Sequence, residues 1–147
     1  MGWGTGLKYE VQRPEKYVGD LDNVIYRSSW EKDAFVFCDT NPNVLRWSSE
    51  EIVIPYAKPA ANGGVRPAKY YPDLYMEYRN KDGQLCKDLI EIKPSRQTKP
   101  SKSRNPKNKL FENQTWQINQ LKWEAARNWC KGRGITFRLL TEKEQFK

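Results

Sequence analysis

The chain contains no histidine among its 147 residues. That absence removes His-based zinc sites together with the Ser-His-Asp and Cys-His routes to nucleophilic catalysis. Acid–base or metal chemistry therefore falls to carboxylates, lysine, tyrosine or backbone groups. Cysteine is scarce as well. Cys38, Cys86 and Cys130 are odd in number, far apart and without a C-x-x-C pairing, which reads as three reduced, small apolar side chains in a cytosolic protein. No stretch approaches the roughly 18 consecutive apolar residues of a membrane span, and no apolar run follows the start as a signal peptide requires. No membrane association is expected. Gly2-Trp3-Gly4-Thr5-Gly6 lacks a preceding strand and a G-x-x-G completion, so no nucleotide cofactor is expected either; position 6 is Gly, which also removes a myristoylation signal.

One absence is local. Between residues 93 and 109 there is no acid, while Lys93, Arg96, Lys99, Lys102, Arg104, Lys107 and Lys109 supply seven positive charges. The chain carries +8 in total, so the remainder is close to neutral at +1. A concentrated basic patch points to a phosphate-rich partner. The apolar fraction is low at 37%, but six Trp, eight Tyr and five Phe give large burial per residue. The length suits one domain with a genuine core.

Residues 1–24 show little periodicity and read as an N-terminal arm, flexible or docking, ahead of a domain at 25–147. Ser28-x-x-Glu31 is a capping box that opens a helix ending near Cys38 or Asp39, before Asn41-Pro42. Val44–Trp47 and Glu51–Tyr56 read as β-rich runs, and Ala57–Lys69 as a loop rich in Pro and Gly. A hairpin follows, roughly Tyr70–Tyr78 and Gln84–Ile92, with Asp82-Gly83 as its turn signal. Residues 94–109 carry no apolar residue able to dock them and are expected to be mobile. Leu110–Lys131 reads as a long helix stopped by Gly132, Ile135–Leu140 as a half-buried strand, and Thr141-x-x-Glu144 as the cap of a final turn.

The chemistry gathers on the hairpin. If Lys81-Asp82-Gly83 forms the loop with Gly83 left-handed, Asp73 falls opposite Glu91, and Glu91 and Lys93 share a face. On the first helix Glu31 lies within the apolar arc of Trp30, Ala34, Phe35, Phe37 and Cys38. Two roles stand open for it: a cap that reaches back to the Ser28 amide, or a site carboxylate aimed inward. On the long helix Asn119 and Lys122 lie between two apolar stripes. They either project into the site or bridge buried carboxylates structurally. Asp73, Glu91 and Glu31 are hard oxygen ligands suited to Mg²⁺ or Mn²⁺ and ill suited to zinc. Such an ion would polarise a phosphate, with Lys93 orienting or deprotonating water and offsetting developing charge. The basic run from Lys93 to Lys109 then reads as a DNA-contacting arm, or else as a solvated linker.

Pro72-Asp73 followed by Glu91-Ile92-Lys93 resembles the PD-(D/E)XK nuclease superfamily, with Glu31 standing where many members carry a helix-borne acid. Further segments widen the likeness. They are Tyr26-Arg27-Ser28-Ser29-Trp30-Glu31, Asn41-Pro42-Asn43-Val44, Trp47-Ser48-Ser49-Glu50-Glu51-Ile52-Val53-Ile54-Pro55-Tyr56, Tyr71-Pro72-Asp73 and Asn119-Gln120-x-Lys122-Trp123-Glu124-Ala125-Ala126. Together, from about Lys16 to Glu144, they resemble the head completion nuclease family of large tailed bacteriophages, and the core is similar to TnsA-type transposon endonucleases. Val65-Arg66-Pro67-Ala68-Lys69 departs from the shorter approach typical of relatives.

The resemblance implies an α/β, restriction-endonuclease-like fold, a mixed central sheet flanked by helices. It implies metal binding by Asp73 and Glu91 with Glu31 and the Ile92 carbonyl, and catalysis by Lys93 together with Glu31, Asp73 and Glu91. A catalytic part for Lys122 and DNA contact by Asn119 are read from their place on the helical wheel, and DNA contact by the basic run from its charge. The expected activity is a Mg²⁺-dependent DNA endonuclease acting in head completion, after packaging and before tail joining. Its setting would be the host cytoplasm or virion, with phage head or portal proteins as partners. The alternative is a virion assembly protein in which cutting is secondary or lost. A transposase subunit is less expected, since no second domain follows Lys147.

Overall fold

The computed structural model describes residues 6–144. The elements run β1 (Leu7–Lys8), β2 (Ile25–Tyr26), α1 (Ser29–Thr40), β3 (Val44–Ser48), β4 (Ile54–Pro59), β5 (Val65–Tyr70), β6 (Leu74–Arg79), β7 (Leu85–Ile92), α2 (Pro106–Cys130) and β8 (Thr136–Leu140). β3, β6, β7 and β8 form a mixed sheet in that spatial order, antiparallel except for the parallel pair β7–β8. This is the mixed, helix-flanked sheet expected from the sequence.

Each face of the sheet buries its own cluster. On one side, Ala34, Phe35 and Cys38 of α1 pack with Trp47, Leu74, Met76, Ile90 and Leu140. On the other, Trp123, Ala126 and Cys130 of α2 pack with Ile54, Tyr70 and Leu89. The alternation of strand side chains accounts for this division. Ile90 faces α1, whereas Leu89, and with it Glu91, faces α2. The apolar stripes expected on α2 are unequal: Trp123 and Cys130 are buried, but Leu121 is exposed.

Residues 7–24 are built into the domain, so the boundary expected at residue 25 is not one. β1 pairs with β2, and Val18 donates to the Trp47 carbonyl. Tyr9 and Tyr17 are buried with their rings edge-on to the Trp47 indole, at centroid distances of 6.2 and 4.8 Å. Aromatic area, more than periodicity, docks this segment. Met1–Thr5, and with them most of the glycine-rich start, lie outside the described residues.

The stretch 57–69, expected to be a loop, is a β-hairpin. Ile54↔Tyr70 and each successive pair through Pro59↔Val65 are in register, and the turn is closed by Ala60 donating to the Gly64 carbonyl. Because Ala60–Gly64 is a hydrogen-bonded pair, Pro59↔Val65, Ala57↔Pro67 and Pro55↔Lys69 are the non-bonded pairs between the bonded ones. All three prolines therefore sit where no amide is needed for the ladder. β5 extends through Tyr70, so the central hairpin begins at Leu74 and not at Tyr70.

The basic segment also departs from expectation. Ser95–Thr98 makes a 3₁₀ turn, and α2 begins at Pro106, capped by Asn105, whose side chain accepts from the Lys107 and Asn108 amides. Ser95 donates to Glu142, and Ser101 to Asn113 and Glu112. Polar bonds fasten a run that has no apolar anchor. Thr141 and Glu144 close a reciprocal turn, with the Thr141 amide 3.0 Å from the Glu144 carboxylate; residues 145–147 lie outside the described residues.

Candidate active site

The hairpin registers as its turn chemistry dictates. Gly83 has φ +76°, Asn80 and Gln84 pair, and Leu74 lies opposite Ile90. One further step brings Asp73, just ahead of β6, level with Glu91. Pro72 is fully buried and fixes the entry to β6. The Asp73 carboxylate accepts the Ile92 amide at 2.8 Å, a bond that occupies the end of the ladder.

Glu91 is buried, at 7% exposure, and faces α2. It accepts the Tyr70 hydroxyl at 2.8 Å, and the Lys93 ammonium lies 3.5 Å from its other oxygen. Lys122, half-buried on α2, places its ammonium 5.7 Å from the centre of the Tyr70 ring. Burial lowers the Lys122 pKa, opposed by the Glu91 charge and reinforced by Lys93. Burial raises Glu91, with Lys93, Tyr70 and Lys122 acting against it. Asp73 is held well above the ordinary carboxylate range, first by burial and then by repulsion from Glu91; the Ile92 amide opposes both. The two acids thus face one another with incomplete compensation.

Glu31 completes the electrostatic group from the opposite side of the sheet. Ser28 caps α1 by accepting the Glu31 amide at 3.1 Å, and the Glu31 carboxylate accepts the Arg27 amide at 3.2 Å. The reach back expected toward Ser28 goes one residue further. Glu31 is raised by burial, and it contributes in turn to the elevation of Asp73. Capping and site proximity, posed as alternatives by the sequence, coexist.

Two participants were missed. The Arg27 guanidinium lies 2.6 Å from Glu50, whose φ of +56° is rare for a residue with a side chain. Glu50 raises Glu31, while Arg27 counters it. The Trp47–Glu51 run carried the signal: two buried serines followed by two acids are an unusual end for a strand. Glu51 binds the Tyr17 hydroxyl and the Asp20 amide, leaving Glu50 to turn toward Arg27.

The donor set suits a hard cation, since every candidate is an oxygen and the Asp73–Glu91 repulsion is of the sign that a cation relieves. Among the described residues, however, no three His, Cys, Asp or Glu side chains converge closely enough to hold a metal ion by themselves. Asp73 and Glu91 are the carboxylates that face one another, and a cation held there would draw further oxygens from Glu31, the Ile92 carbonyl, water or phosphate. Of the basic run, Arg96, Lys99 and Lys102 line a cleft together with Asn119. Arg104 precedes α2, and Lys107 and Lys109 are exposed on its first turn.

The chain matches the family described as TnsA-like endonuclease N terminal over residues 41–142. It is 38% identical over 141 residues to the head completion nuclease of Enterobacteria phage T4, covering 92% of this chain and 89% of that protein. No helix among the described residues is long and apolar enough to cross a membrane. With this likeness spanning nearly the whole sheet and both helices, the chain belongs to the TnsA-like endonuclease family, with its restriction-endonuclease-like α/β fold.

Proposed function

We propose that this protein is a divalent-metal-dependent endonuclease that hydrolyses phosphodiester bonds of DNA. The observation that carries the proposal is the Asp73–Glu91 pair, two opposed carboxylates raised by burial, with Lys93 3.5 Å from Glu91 and Lys122 close by. Holding such charges together disfavours folding, a cost that a bound cation would offset. Asp73 and Glu91 would hold Mg²⁺ or Mn²⁺, with the Ile92 carbonyl, Glu31, water and phosphate as further oxygen sources. An ion held there supplies positive charge against the scissile phosphate and acidifies water.

The remaining work belongs to this chain's own groups. Glu91 positions the Lys93 ammonium, which orients the attacking water and offsets charge on the phosphate. Lys122 gives up a proton more readily than a surface lysine because it is half-buried, and this suits it to protonate the departing oxygen. Tyr70 fixes Glu91 from behind. Arg96, Lys99, Lys102, Arg104, Lys107 and Lys109 draw in the polyanion that the acids alone would repel.

The relative's name extends the proposal to phage head completion, and within this proposal the protein acts after packaging and before tail joining. The partners would be head or portal proteins, and the setting the host cytoplasm or virion.

The test is cleavage of plasmid and linear DNA with Mg²⁺ or Mn²⁺ by the parent and by Asp73→Ala, Lys93→Ala and Lys122→Ala. Asp73→Ala and Lys93→Ala are expected to lose activity by about 10² to 10⁴-fold. Lys122→Ala is expected to lower turnover while remaining folded. Activity that survives both of the first two substitutions would refute the site. A parent inert with every metal would favour the assembly role instead.

A further inference from the structure

Between the segment leaving β7 and the N-terminal half of α2 lies a cleft of about 520 Å³. Residues 95–102 form one wall and the Phe111–Asn119 face of α2 the other. The walls are held together by polar bonds: the Ser101 amide donates to Asn113 at 2.8 Å and its hydroxyl to Glu112 at 2.5 Å, while Ser95 is fastened to Glu142. Pro100 lines the cleft beside the extended Lys99 and, having no amide, leaves no donor there to satisfy. The cleft is therefore a built feature of the fold.

Its lining combines two kinds of group. Arg96, Lys99 and Lys102 bring positive charge, and Phe111 and Trp116 bring aromatic rings. Phe111 is 69% exposed, a large aromatic face with no apolar cover. The Trp116 indole N–H is buried without a hydrogen-bond partner. Asn119, buried at 5% exposure, adds an amide that can both donate and accept. A paired duplex would satisfy the cations through its phosphates but would leave the rings and the amide unused, because its bases are stacked on one another. An unpaired nucleotide uses all of them: phosphate on the cations, base face on an aromatic ring, base edge on an amide. The volume lies within the range of pockets that take small organic ligands. Glu112 also lines the cleft but already accepts the Ser101 hydroxyl, and its charge confines phosphate to the Arg96–Lys102 wall.

We infer that this cleft receives an unpaired nucleotide of the DNA substrate, which makes single-stranded ends or gaps the preferred cutting context. The inference rests on the endonuclease reading, whose centre adjoins the cleft. Ser95 lies two residues beyond Lys93, and Asn119 stands one helical turn from Lys122.

The experiment is fluorescence anisotropy without divalent metal, so that binding is read apart from cutting. It compares a blunt duplex with a duplex bearing a short single-stranded tail, the two matched in number of phosphates. The parent is expected to bind the tailed DNA about tenfold more tightly, and Phe111→Ala to lose most of that preference. Phe111 is exposed, so its truncation is compatible with folding, and circular dichroism verifies this. Equal affinity for the two DNAs, or a tail preference retained in Phe111→Ala, overturns the inference. Cleavage of the same DNAs with Mg²⁺ separates the two readings. Cutting without tail-selective binding removes the cleft assignment alone, whereas tail-selective binding with no cutting under any metal removes the nuclease reading and supports the cleft.

Discussion

At the scale of single residues, the site is a local compromise of stability. Burial holds Asp73 and Glu91 above ordinary carboxylates, and repulsion from Glu91 raises Asp73 further. A carboxyl whose folded pKa lies above its unfolded value favours the folded state at pH below the unfolded pKa. That contribution is lost as pH rises through the folded pKa. At neutral pH the ionised pair is therefore destabilising. Asp73→Asn keeps an oxygen for the Ile92 amide and removes the charge, so it is expected to gain about 0.5–2 kcal/mol near pH 7. The gain should vanish near pH 4, where the parent's own carboxylates take up protons. Thermal unfolding at both pH values measures this; a parent as stable as the variant at pH 7 would contradict it. The same repulsion explains which part of the site was legible. Hairpin register is a counting problem, so opposing Asp73 and Glu91 followed from the Gly83 turn. The Arg27–Glu50 contact depends on a single left-handed residue in a loop, and no periodic pattern announces that.

At the scale of elements, the informative departures are the N-terminal segment and the β4–β5 hairpin. The first is fastened to the end of α1 by Asp39, fully buried, which accepts from the Tyr9 hydroxyl at 2.8 Å and from the Gln12 and Arg13 amides at 2.7 and 2.9 Å. Lys16 adds its ammonium to the Asp39 and Asn41 carbonyls, the favourable charge for a helix C-terminus. Asp39→Ala strands three donors and is expected to cost about 3 kcal/mol or more. Urea denaturation with an unchanged m-value would register it; a loss below about 1 kcal/mol would mean the segment is held by its aromatics alone. Sparse, irregular sequence hid this docking, because one carboxylate and two tyrosines replace the periodic face that docks a segment elsewhere. In β4 and β5 the prolines misled for a different reason. Pro55, Pro59 and Pro67 share one parity, which is compatible with a hairpin once its register is known and reads as a breaker before that.

At the scale of the whole molecule, charge is segregated. Glu91, Lys93 and Lys122 lie on the α2 side of the sheet, and the surplus cations run from the end of β7 into α2. Replacing Lys99, Lys102 and Arg104 together by Gln is expected to flatten the dependence of log affinity on log salt. The slope should fall by about 0.9 for each phosphate that the variant leaves unneutralised. Titrations with duplex DNA at several salt concentrations would show it, and an unchanged slope would reduce the segment to a connector. The separation of charge was legible from composition; the 3₁₀ turn and the Ser101 and Ser95 tethers were not, since they rest on scattered serines that also suit a disordered run.

The parallel pairing of β7 with β8 has a consequence for biosynthesis. Asp88 lies opposite Thr136 and Ile92 opposite Leu140, and the Lys93 amide donates to the Leu140 carbonyl. The strand that carries Glu91 and Lys93 therefore lacks one neighbour until the chain has been made through Leu140, after the entire α2 crossover. Non-local pairing of this kind forms late and slowly. On the ribosome, the emerging polypeptide holds Asp73 and Glu91 on an unfinished sheet, so their final setting forms only once β8 has emerged.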